Sequence, residues 1–105
     1  MRSAFVHEAE LRLEPDADPA AVGAAVTTEL CGHWEHEGPC RWPHNNAIEG
    51  SVFRTLFAAP AAEEEEVRAK IERGLRAAPG WTVVETRRRP TRSDERPLAQ
   101  RLVDA

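Results

Sequence analysis

The chain has 105 residues, 41% of them hydrophobic and 30% charged, with a formal net charge of −4. That length holds one domain with a single modest core. The acidic balance argues against a nucleic-acid binder, and no apolar run approaches the ~20 residues of a membrane span. Neither nucleic acid nor membrane is therefore expected as a partner. Met1 to Val6 lead into His7 and Glu8 before a signal-peptide core could form, so a cytoplasmic location is expected. Thirteen of the fourteen basic residues are Arg, Lys70 being the exception, and Ala is abundant. This is a compositional bias, not a sign of bidentate phosphate contacts.

Residues 4–13 alternate Phe5, His7, Ala9, Leu11 and Leu13 with Glu8, Glu10 and Arg12, which predicts a half-buried strand. Asp18-Pro19 then starts a helix, with Asp as N-cap and Pro at the first position. Its apolar stripe is Val22, Val26 and Leu30, and Gly32 stops it. Gly38-Pro39 and Pro43 break up residues 33–46. A strand over residues 46–49, a turn at Glu49-Gly50 and a strand over 51–58 follow. On the third strand Phe53, Thr55 and Phe57 oppose Val52, Arg54 and Leu56.

Pro60 opens a second helix, with Glu63 to Glu66 favourably placed against the positive end of its dipole. Val67, Ile71 and Leu75 form its buried stripe, Pro79-Gly80 ends it, and residues 81–87 make the last strand. The order β-α-β-β-α-β predicts an α+β domain of the ferredoxin-like split type. This is a four-stranded antiparallel sheet with two helices on one face. The other face is then solvated or covered, by the tail or by a partner such as a second copy in a homodimer.

Residues 1–87 are read as the domain and 88–105 as an Arg/Pro-rich tail that folding does not require. The arginines at 87, 88, 89 and 92 are expected to be solvated, pairing with the chain's own glutamates or disordered, and not to contact RNA. A short helix over residues 97–103 would dock Leu98 and Leu102 on the body.

One cluster carries chemistry. Cys31, His33, His36, Cys40 and His44 fall within fourteen positions, leaving only His7 elsewhere. Thiolate and imidazole are the ligand types that Zn²⁺ prefers, so the Cys31–His44 segment is a candidate zinc site. Cys31, Cys40 and two of the three histidines would be its ligands. The spacing is not that of a zinc finger, and C-x2-C is absent.

The same residues also fit a purely structural loop or a Cys31–Cys40 disulfide. A Cys–His nucleophile pair lacks a third member or an oxyanion-type turn, which does not favour an enzyme. The alternative function is a metal-free binding or dimerisation module. It would use the open sheet face and the loop tryptophans Trp34 and Trp42 as a pocket or interface for a small molecule or protein.

Overall fold

The computed structural model describes residues 1–32, 40–77 and 79–105. The elements are β1 (Arg2–Leu13), α1 (Ala20–Cys31), β2 (His44–Glu49), β3 (Val52–Pro60), α2 (Glu64–Arg76), β4 (Trp81–Arg89) and α3 (Arg96–Asp104). Single 3₁₀ turns, Ala61–Glu63 and Ser93–Glu95, lead into α2 and α3. All strand pairs are antiparallel, in the order β2-β3-β1-β4.

The period-two pattern of β1 gives the sheet two different faces. Phe5, Ala9 and Leu11 point the same way as Phe53 and Phe57, and there they meet Val22, Val26 and Leu30 of α1 and Val67, Ile71 and Leu75 of α2. A register shift between Glu10 and Leu11 in the β1–β4 pairing interrupts the ladder while keeping Leu11 in this core. The two helices touch closely because Gly74 has no side chain. A Cβ there would lie 2.9 Å from the Ala25 carbonyl oxygen. Asp18 caps α1, its Oδ1 accepting from the Ala20 N–H at 3.0 Å, and Gly32 leaves the helix at φ 79°.

Beyond the two helices on the first face, the short helix expected over residues 97–103 is present as α3. It lies on the opposite face, where Leu98, Ala99 and Leu102 pack on Ala4, Val6 and Leu56. Val6 and Leu56 are fully buried by this contact. Of the possible coverings for that face, the tail supplies the one over its centre, which removes the observation that motivated a dimer there. The strand ends later than its pattern suggested, because Arg88 and Arg89 continue β4 opposite His7 and Val6.

The solvated arginine run is corrected in part. Arg89 is only 13% exposed and bonds both Glu8 and Glu95, while Arg87 bonds Glu8 and Arg88 bonds Glu65. Pairing with the chain's own glutamates is thus the outcome. Among the described residues no helix is long and apolar enough to cross a membrane.

Candidate functional site

Cys31 is the last residue of α1, and the chain returns beside it at Cys40 before entering β2 at His44. The two cysteines form a disulfide across a Cα–Cα distance of 5.4 Å, an ordinary span for such a bond. One ligand atom from each of Cys31, Cys40 and His44 lies within 4.8 Å of the others, and all three residues are half-buried. The structure therefore brings together three of the five residues singled out for metal binding. His33, His36 and Trp34 lie outside the described residues. In the disulfide both sulfurs are neutral and bonded to each other, so the expected Cys2His2 ligand set is not assembled in this form.

His44 is held by both ring nitrogens. Its Nδ1–H donates to the Trp42 carbonyl at 3.0 Å, which leaves the Nε2 lone pair to accept from the Thr27 hydroxyl at 2.9 Å. The chain of bonds continues. Asn46 Nδ2 donates to Thr27 Oγ1 at 3.0 Å and to the Gly23 carbonyl at 3.1 Å, and Thr55 donates to Asn46 Oδ1 at 2.8 Å. Burial pushes the His44 pKa below its ordinary 6.5, so the imidazole is neutral at neutral pH.

The sulfurs sit among acceptors. Cys40 Sγ is 3.4 Å from the Trp42 carbonyl oxygen and 3.8 Å from that of Leu30. Cys31 occupies the negative end of the α1 dipole. Carbonyl oxygens and a helix C-terminus disfavour a free thiolate, the opposite of the electropositive setting of a reactive cysteine. Two chemical states suit such a pair: a disulfide, or two thiolates neutralised by a cation.

Trp42, expected in a pocket or interface, is instead a core side chain with 4% exposure. Its indole N–H donates to Glu63 Oε1 at 2.8 Å, and Arg41 stacks on the ring at 4.5 Å while pairing with the same glutamate. Glu63 thus has a defined partner beyond its place near the start of α2.

His7, set apart in the sequence, is buried on the α1/α2 face. Arg68 Nη1 donates to its Nδ1 at 3.0 Å, so its Nε2–H donates to Glu72 Oε1 at 2.9 Å. Desolvation lowers its pKa, and Arg68 adds to that lowering, against the raising effect of Glu72.

Thr27, Asn46 and Thr55 were not singled out from the sequence, although one signal was available. Each is a polar residue on an element face otherwise occupied by core residues.

A second polar assembly lies on the α3 face. Sheet register aligns Ala47, Arg54, Glu8 and Arg87 in one row across all four strands. Glu8 accepts from Arg87 Nε at 2.7 Å and Arg89 Nε at 2.6 Å, and Glu95 accepts a bidentate pair from Arg89 at 2.8 and 3.0 Å. Arg54 Nε stands 3.1 Å from Glu95. Arg89, with Arg54 and a backbone bond from Arg92, holds the Glu95 pKa at about 2. Beside this network opens a cleft of about 580 Å³.

Comparison with known proteins yields no family: no family model, no curated protein and no solved structure matches this chain.

Proposed function

We propose that Cys31, Cys40 and His44 form a thiol-dependent zinc site, closed as a disulfide when oxidised and open to Zn²⁺ when reduced. The observation that carries this reading is the clustering of two sulfurs and a half-buried neutral imidazole within 4.8 Å, among carbonyl oxygens. Reduction gives two thiols, and metal binding releases their protons. The dication then balances two thiolates that the carbonyl surroundings would otherwise disfavour. Tetrahedral zinc with Zn–S of ~2.3 Å and Zn–N of ~2.0–2.1 Å requires the sulfurs to separate and one His44 nitrogen to exchange its present partner for the metal. Oxidation by a cellular disulfide or peroxide returns the disulfide and expels the ion. A reducing cytoplasm is the setting in which this role has meaning.

The frame for this site we read as ferredoxin-like. The order β2-β3-β1-β4 with antiparallel neighbours, and α1 packed beside α2, support that reading, with α3 as an addition.

The test is elemental analysis of untagged full-length protein prepared with a phosphine reductant and, separately, after oxidation. About one zinc per chain is expected in reductant and none after oxidation. Cys40→Ser and His44→Ala should each lower the zinc content, while His7→Gln should leave it unchanged. A reduced, folded chain that holds no zinc overturns the proposal.

A further inference from the structure

The cleft beside α3 has a charge arrangement that folding alone does not use up. Its deep carboxylates, Glu8 and Glu95, are 4% and 8% exposed and are saturated by guanidinium groups. The arginines on its floor are not saturated. Arg54 uses Nε and Nη1, and Arg87 uses Nε and Nη1, so the Nη2 group of each donates to nothing among the described residues.

Both arginines are pinned through their other nitrogens, so little side-chain entropy remains to be lost on binding. The exposed part of the lining holds acids as well as a base. Glu49 and Asp94 line the cleft beside Arg92, are exposed, and make no ion pair among the described residues. Val52 and Leu98 supply half-buried apolar lining.

We propose that this cleft binds a small zwitterion of the α-amino-acid class with an apolar side chain. The ligand carboxylate meets the free edges of Arg54 and Arg87, the ammonium meets Glu49 and Asp94, and the side chain lies on Val52 and Leu98. Three features argue for this class over a simple anion. The lining is formally neutral, so a neutral zwitterion enters without unbalanced charge. A lone carboxylate would meet two exposed acids, Glu49 and Asp94, against one exposed arginine, Arg92, whereas a zwitterion gives those acids an ammonium partner. A volume of about 580 Å³ is also of the size that small-molecule sites have.

The experiment is a titration of full-length protein followed by amide NMR, with L-leucine, N-acetyl-L-leucine and L-leucinamide as probes. Leucine should shift the amides around Ala47, Val52 and Leu98 saturably. Removing either ligand charge should weaken binding about tenfold or more. Glu49→Gln with Asp94→Asn, both at exposed positions, should weaken leucine while sparing N-acetyl-leucine. Arg87→Gln should weaken leucine and N-acetyl-leucine together. Absence of a saturable leucine shift, or equal binding of leucine and N-acetyl-leucine, overturns the proposal.

Discussion

On one face of the sheet, Phe53, Phe57, Val67 and Ile71 belong to the larger apolar core, with Thr55 buried beside them and Arg68 over the Phe57 ring. His7 and His44 there are kept neutral. On the other, a patch of Val6, Leu56, Ala99 and their neighbours is bordered by Glu8, Arg54, Arg87, Arg89 and Glu95. The first face gains from area removed from water, with no demand on direction. The second gains from directed bonds among buried charges, whose mutual attraction must first offset their desolvation. One side of this small domain therefore rests mainly on buried apolar area, while the other depends on its charged partners all being present.

The sharpest break in this comparison is a pair of truncations. Phe57→Ala should destabilise by about 3–5 kcal/mol, since the ring is fully buried and stacks near Phe5 at 5.4 Å. Leu102→Ala, half-buried at the edge of the smaller patch, should cost about 1–2 kcal/mol, less than a fully buried leucine. Chemical denaturation with both variants measures the ratio. Equal costs would show that the α3 patch is as much a core as the α1/α2 side.

Acid separates the faces by pH. His7 and His44 have lowered pKa values, each chiefly through burial. Their unfolded forms take up protons first, so stability is whole above about pH 6.5 and falls as pH drops below it. Glu95 sits at about 2 against an ordinary 4.5, so its contribution is whole above 4.5 and lost as pH falls toward 2. That second loss should amount to roughly 3 kcal/mol. Melting temperatures from pH 8 to 2 should show two steps. In Glu95→Gln the lower step should shrink, Glu8, Glu65 and Glu72 with their own lowered pKa values keeping the rest, and the upper one should remain.

How far these features were legible follows from how they are encoded. The apolar stripes of Val22-Val26-Leu30 and Val67-Ile71-Leu75, read at helical spacing, are buried as expected. Arg54 and Glu8 could be placed on sheet faces by alternation, but their pairing depends on register, which only the completed β1–β3 ladder fixes. The cysteine–histidine cluster was visible as a cluster. Which partners the sulfurs and His44 would choose depended on the return of the chain beside the α1 terminus, which spacing alone does not determine. Trp42 reads as a pocket or interface residue from its place beside the loop, and its burial in the core depends on Glu63, distant in sequence, which supplies the acceptor for the indole N–H.

A smaller effect tests the disulfide as a staple. Opening Cys31–Cys40 in metal-free protein should cost about 2–3 kcal/mol, the loop-closure value for a loop of this length. With zinc added to the reduced chain, the loss should be recovered, because a ligand that binds only the folded state stabilises it. Thermal melts of oxidised, reduced and reduced zinc-loaded protein measure the three states. Reduction without any change would mean that the loop ends are already fixed by other contacts.

The smallest expected effect probes the polar chain that runs through the α1/α2 face. Thr27→Val keeps the shape and removes one hydroxyl. His44 Nε2 loses its donor, while Asn46 Nδ2 keeps the Gly23 carbonyl and loses only its second acceptor. One hydrogen bond of this kind is worth about 1 kcal/mol, so the midpoint of denaturation should move slightly. The more telling readout is the His44 titration. A donor to the Nε2 lone pair stabilises the neutral ring, and its removal should raise the His44 pKa toward 6.5. His7, bonded to Arg68 and Glu72, should titrate as before. An unmoved His44 resonance would show that burial alone keeps the ring neutral and that Thr27 serves only Asn46.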